Sequence, residues 1–220
     1  MKKLGLVLLI FLIVSCNKRE MEGNYILTPA EKAYIPYIGG EKVVYRNADN
    51  DEEMVFNASE LIDETYEVIS NTNSNNYYQY EMAYIVLNGE EVDLNYSVNA
   101  DYKRTLNKAQ LAIEWFDMDV FYTTRIFGKN LVPFDSTDAS YNLVYHETLD
   151  VNFETYEDVY QGPFNFEYYP SGDTTPVPSG ALYPLEYYYT QTYGVIKFML
   201  SDSTTWELDR SDTTVMNLLE

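Results

Sequence analysis

The chain has 220 residues, 46% hydrophobic and 16% aromatic, with 14 Lys and Arg against 35 Asp and Glu, a formal net charge of −21, one cysteine and 23 tyrosines. This composition excludes a disulfide-stapled domain, which needs cysteines to pair, and a nucleic-acid binder, which needs a cationic footprint to displace phosphate counterions. It also excludes disorder over most of the length, because one globular domain can bury enough apolar surface to offset chain entropy.

The first element is an export signal. Lys2 and Lys3 precede an apolar run from Leu4 to Val14, which is shorter than the roughly 20 residues that cross a bilayer and matches the apolar region of a signal peptide. The run ends in Ile13-Val14-Ser15-Cys16, which resembles the lipobox of bacterial lipoproteins. The resemblance implies a diacylglyceryl group on the Cys16 sulfur, cleavage after Ser15 and acylation of the new amino terminus by palmitate or a similar acid. An ordinary secretory signal is the competing reading, and no A-x-A-like cleavage site is present for it. Two or three acyl chains anchor a protein stably, since each buried CH₂ contributes about 0.8 kcal/mol. Residues 1–15 are therefore read as a lipoprotein signal peptide, and residues 16–27 as the lipidated cysteine and a flexible tether. Lys18 and Arg19 lie at the headgroups, where a basic residue gains about 1 kcal/mol against an anionic surface. Residues 28–220 are read as a single all-β domain.

Thr28-Pro29-Ala30-Glu31 combines an N-cap, proline at the first helical position and a glutamate that reaches back to the cap. The helix must be short, because Pro36 biases Ile35 away from helical geometry. Beyond it the pattern is that of strands: Lys42 to Asn47, Met54 to Ser59 and Thr65 to Ser70, separated by polar turn clusters. In Tyr77 to Asn99, Asn88-Gly89 is predicted to be a two-residue hairpin turn. That register pairs Ile85 with Val92, Ala83 with Leu94, Glu81 with Tyr96 and Gln79 with Val98 on a core face. The opposite face then carries Tyr78, Tyr80, Met82 and Tyr84 beside small polar residues. Gln110 to Phe127 is strand-like with a break at Asp117-Met118-Asp119, followed by strands over Tyr141 to Leu149 and Val151 to Tyr160. Pro170 to Pro184 reads as a loop, and Tyr187 to Leu200 with Thr205 to Leu208 as the last hairpin pattern. About 10–12 short strands, with one short N-terminal helix, predict an antiparallel meander folded as a sandwich or as a curled half-barrel or barrel.

A second resemblance is one of style. The lipobox and polar tether, Leu27-Thr28-Pro29-Ala30-Glu31 leading to Ile35-Pro36-Tyr37, Tyr156-Glu157-Asp158-Val159-Tyr160, Gly194-Val195-Ile196-Lys197-Phe198 and Trp206-Glu207-Leu208 are similar to small envelope lipoproteins of Bacteroidota type. The resemblance implies a place in the cell envelope, anchored at the outer membrane. Some of those proteins carry a surface-export signal of Lys or Ser followed by acids; here Arg19 separates Lys18 from Glu20, and both the surface and the periplasmic face stay open.

No G-x-S-x-G elbow, G-x-G-x-x-G, P-loop or H-E-x-x-H is present. His146 is the only histidine, and Asp150 stands where a zinc helix would carry the second one, so a structural or exposed histidine is expected. Asp117 and Asp119 share a face on a strand, with Glu114 and Trp115 before them, an arrangement that glycosidases also use; among 35 acids, solvated charge is the plainer explanation. Asp49-Asn50-Asp51-Glu52-Glu53 offers oxygens to calcium without the EF-hand glycine or distal glutamate, and Asp135-Ser136-Thr137-Asp138 offers fewer. Neither catalysis, a metal nor another cofactor is expected.

The tyrosines favour strands, where the ring half-buries and the hydroxyl stays wet. A face of such rings beside short polar groups suits a glycan or a protein partner, and Tyr78, Tyr80, Tyr84, Tyr187 and Tyr189 are its expected members. The expected function is that of a non-enzymatic, lipid-anchored binding or structural module. Its alternatives are a periplasmic carrier with a cavity lined by Ile85, Leu94, Ile196 and Phe198, and a carbohydrate-active hydrolase.

Overall fold

The computed structural model describes residues 19–70, 76–100, 109–117, 120–127, 143–166 and 182–211. The signal peptide, Cys16 and most of the Pro170 to Pro184 stretch lie outside the described residues. The fold is all-β. Its strands are β1 (Met21–Tyr25), β2 (Lys42–Asn47), β3 (Glu53–Ala58), β4 (Ile62–Ile69), β5 (Tyr77–Asn88), β6 (Val92–Asn99), β7 (Gln110–Asp117), β8 (Val120–Phe127), β9 (Val144–Val151), β10 (Glu154–Pro163), β11 (Asn165–Phe166), β12 (Pro184–Thr190), β13 (Gly194–Leu200) and β14 (Thr205–Leu208), with one helix, α1 (Pro29–Lys32).

The helix forms as its cap dictates. Glu31 N–H donates to Thr28 Oγ1 at 3.2 Å, and Thr28 N–H donates to Glu31 Oε2 at 2.7 Å, so each residue satisfies an orphan donor of the first turn. Lys32 then fastens α1 to the sheet, its Nζ lying 2.6 Å from Glu81 and 2.9 Å from Asp63. These two contacts, that to Glu81 first, raise the Lys32 pKa. The predicted tether is corrected here: the chain is already held at Arg19, which pairs with Glu67 at 2.8 Å and lies 4.3 Å from the Tyr77 ring centre. Met21–Tyr25 adds to the edge of β5 in parallel, and Leu27 is buried. Strand pairing satisfies backbone groups that a free tether would leave to water.

The strands form one sheet in the order β11-β8-β7-β6-β5-β3-β2-β14-β13-β12-β10-β9, with β1 and β4 added to β5. β5 holds the two parts together: along Tyr77 to Tyr84 it pairs with β4, at Leu87 and Asn88 with β3, and along Met82 to Asn88 with β6. The sheet curls without closing into a barrel. Six strand spacings separate β7 from β13, about 29 Å in a flat sheet, yet Trp115 of β7 and Phe198 of β13 meet edge to face at 5.2 Å. The two limbs therefore close on a shared core. Tyr45, Phe56, Ile85, Leu94, Tyr96, Ile113, Tyr187 and Phe198 fill it.

The β5–β6 hairpin keeps the expected faces and changes the turn. Ile85 pairs with Tyr96 and Ala83 with Val98; each partner has moved by four residues, an even number, so Ala83, Ile85 and Leu87 still face the core. Asn88 and Gly89 are not in the left-handed region that a tight Asn-Gly turn needs. The chain instead turns two residues later, through Glu90 and Glu91, with Gly89 N–H donating to the Val92 carbonyl at 3.1 Å. Gly89 is required by close approach: a Cβ there would lie 2.3 Å from the Val92 oxygen and 3.0 Å from the Phe56 ring.

Acid stability has an identifiable source at the end of β14. Burial alone would raise the Asp209 carboxyl, but hydrogen bonds from Ser211 Oγ at 2.6 Å and the Arg46 guanidinium at 2.6 Å hold it below the usual range. A carboxyl depressed in the fold adds stability above its unfolded pKa and loses it as pH falls through the folded value. Urea midpoints measured from pH 7 to pH 2 should fall for the wild type below about pH 4. Asp209→Asn should start lower and fall less across that range; parallel curves would exclude Asp209 as a contributor.

Candidate functional site

The predicted tyrosine face divides in two. Alternation along β5 places Tyr78, Tyr80, Met82 and Tyr84 on the face away from Ala83, Ile85 and Leu87. All three tyrosines are half-buried. The partner strands extend this face: Tyr66 of β4 stands opposite Tyr80, with ring centres 5.5 Å apart and planes 25° from parallel, and Tyr25 of β1 reaches the Tyr78 ring at 6.1 Å. The Tyr66 hydroxyl donates to the Glu64 carboxylate, which pushes its pKa up to about 12. Asn99 of β6 stands opposite Met82 and adds a short polar group, whereas Ser97, opposite Tyr84, is buried.

Tyr187 and Tyr189 do not belong to it. They share a face as alternation requires, but that face is concave, and both are 0% exposed. Tyr187 packs edge to face on Phe164 at 5.2 Å, and the Tyr189 hydroxyl donates to the Tyr34 carbonyl at 2.5 Å. Burial pushes the Tyr189 pKa well above the ordinary value. The same device recurs around Val195, where a register shift between β12 and β13 leaves that residue's backbone to the core. Tyr45 donates to its carbonyl at 2.8 Å, and its N–H donates to the Tyr96 hydroxyl at 3.0 Å. Inward tyrosines thus satisfy buried backbone groups that would otherwise stay unpaired.

A cleft at the far end of β5 brings together residues that sequence reasoning did not join. Because β6, β5, β3, β2, β14 and β13 are successive neighbours, the β5–β6, β2–β3 and β13–β14 turns sit side by side. They border a cleft of about 650 Å³. Its apolar lining includes Met54, Val92, Leu200, Trp115 and Trp206, and its acids are Glu52, Glu53, Glu90, Glu91 and Asp202. Trp206 Nε1–H donates to Thr204 Oγ1 at 3.3 Å, whereas Trp115 Nε1–H, also buried, finds no acceptor among the described residues. Glu53 pairs with Arg46 at 2.7 Å. Thr204 donates twice to Asp202, from its hydroxyl at 2.7 Å and its N–H at 2.9 Å, and holds that carboxyl below its usual range. The chain's two tryptophans were the signal available in the sequence, but 91 residues separate them and only the curl unites them.

The remaining candidates stand apart. His146 on β9 hydrogen-bonds through Nε2 to Gln161 Oε1 at 2.7 Å, and Asp150 accepts from Thr155 at 2.6 Å. Glu114 and Trp115 point to opposite faces, the first accepting from Asn95 Nδ2 at 2.7 Å and the second joining the core; the Asp117 side chain, Asp119 and Asp135 to Asp138 lie outside the described residues. Asn47 and Asn50 side-chain oxygens accept the N–H groups of Asp49 and Glu52, so their oxygens shape the β2–β3 turn. Ile85, Leu94, Ile196 and Phe198 are packed in the core and do not line the cleft. Among the described residues no group of three or more His, Cys, Asp or Glu is placed to hold a metal ion, and no helix is long and apolar enough to cross a membrane. No protein-family model, curated protein or solved structure matches the chain.

Proposed function

We propose that this chain is a lipid-anchored, non-enzymatic binding module of a bacterial cell envelope, attached to the outer membrane through acyl chains on Cys16. It presents the outer tyrosine face of β4 and β5 to a glycan or a partner protein. The observation that carries this reading is the stacked pair Tyr66 and Tyr80, with Tyr78 and Tyr84 half-buried on the same face. Such a face keeps aromatic area and hydroxyl groups at the surface, where both sugar rings and protein surfaces use them. The acidic chain stands off anionic headgroups, so a lipid anchor supplies the membrane attachment that its charge opposes.

Two measurements test the two halves of this reading. In fractionated cells the wild type should sediment with membranes and Cys16→Ala should become soluble; equal sedimentation of both removes the anchor. Protease treatment of intact cells then assigns the face of the membrane. Binding of the purified chain to a glycan array and to envelope extracts should weaken at least about tenfold in Tyr66→Ala with Tyr80→Ala, and Tyr188→Phe should retain it. A double variant that binds as well as the wild type excludes this face.

A further inference from the structure

We infer that the cleft between the three turns is a second binding site, for a ligand that joins ammonium groups to sugar rings: a short amino-sugar oligomer. Three features of the cleft each call for a different part of that ligand. Of the five carboxylates, only Glu53 has an ion-pair partner among the described residues; Glu52, Glu90, Glu91 and Asp202 have none, and they converge on one opening from three different hairpins. Native surfaces intersperse charges of both signs, and a cleft lined by one sign concentrates counter-ions. The acids are spread around the rim, and no three are placed to close on a single metal ion, so an extended cation with several separated charges fits them better than a metal.

The second feature is Trp115. Its side chain is 1% exposed and borders the cleft, and Nε1–H is a donor without an acceptor among the described residues. Buried donors left unpaired in a native structure call for a partner. A polyamine has charge but offers this N–H no oxygen; a hydroxyl or ring oxygen supplies one. The third feature is the apolar lining of Met54, Val92, Leu200 and Trp206, which suits the C–H face of a sugar ring. A volume of about 650 Å³ lies in the middle of the range of small-molecule sites. The site is separate from the tyrosine face: Gly89 is nine residues along the chain from Tyr80, about 30 Å at strand rise.

The test is a fluorescence titration of the full lipidated chain in detergent micelles, read through Trp115 and Trp206, with a glucosamine trimer, its N-acetylated counterpart and spermidine. The glucosamine trimer should give a saturable change that weakens with added salt. The acetylated trimer, which lacks the charges, should bind at least about tenfold more weakly, and spermidine likewise. Glu90→Gln with Glu91→Gln lies in a solvent-exposed turn, and should weaken binding about tenfold with an unchanged urea midpoint. Trp115→Phe keeps an aromatic ring but loses the pyrrole part with its N–H, and should weaken binding severalfold with Trp206 as reporter. The Tyr66→Ala, Tyr80→Ala variant should bind the trimer normally, which separates this site from the tyrosine face. No saturable response, equal binding of spermidine, or equal binding of the acetylated trimer would each overturn the inference.

Discussion

Phe198→Ala is expected to lower unfolding free energy by about 3–5 kcal/mol, the range for truncating a buried aromatic. Phe198 is 1% exposed and is where the two limbs of the sheet meet: its ring lies 5.0 Å from Tyr45, 5.2 Å from Trp115 and 6.5 Å from Trp206, stacked on the last at 11°. Removing it deletes burial and three aromatic contacts at once and leaves a cavity between strands that are not neighbours in the sheet. Because both tryptophans flank the ring, fluorescence should shift to the red before the unfolding transition, and the urea midpoint should fall with little change in slope. Phe198→Leu, which refills most of the volume, should lose under about 1.5 kcal/mol. If alanine costs as little as leucine, the limbs are not packed through this residue, and the curl needs another support.

The sequence made the elements legible and left the curl hidden. Strand runs are local, and Lys42 to Asn47 or Thr205 to Leu208 carry their β-branched and aromatic side chains where any pleated surface would use them. The capping box at Thr28 and Glu31 is likewise a four-residue signal, and it forms as spaced. The face of a tyrosine is different information. Tyr78 and Tyr80 on β5 and Tyr187 and Tyr189 on β12 show the same alternation, and nothing within either strand says which side becomes concave. The answer lies in distant backbone: the Tyr34 carbonyl takes the Tyr189 hydroxyl, and the Val195 N–H and carbonyl take Tyr96 and Tyr45.

Turns misled for a related reason. Asn88-Gly89 has the composition of a tight hairpin, but Gly89 serves to let the Phe56 ring and the Val92 carbonyl come close, so its glycine is fixed by packing rather than by a left-handed backbone. The four-residue displacement of the register went unnoticed by the pattern because it is even; a three-residue one would have exposed Ile85 and Leu87. The same locality hid the cleft. Glu52, Glu90 and Asp202 are each a turn acid on their own strand pair. They become neighbours only because the strand order places three turns side by side.

Gly194→Ala tests the opposite kind of defect, an added atom, and is expected to cost about 2–5 kcal/mol. Gly194 opens β13 with φ at +75°, a conformation that a Cβ disfavours by about 1–2 kcal/mol. The new methyl would also lie 2.8 Å from the Tyr37 hydroxyl, 3.0 Å from the Tyr96 hydroxyl and 3.1 Å from Pro36, and overpacking of this kind costs about 1–3 kcal/mol. Neither hydroxyl can retreat without loss, since Tyr37 donates to the Tyr193 carbonyl at 3.0 Å and Tyr96 accepts from Val195 N–H at 3.0 Å. Gly40 supplies the control: its φ is +85°, but a Cβ there meets nothing within 4 Å, so Gly40→Ala carries the conformational cost alone. Urea unfolding of the two variants should therefore differ by about 1–3 kcal/mol, the part due to the tyrosine hydroxyls. Equal losses would mean that the hydroxyls move aside freely and that Val195 does not depend on them.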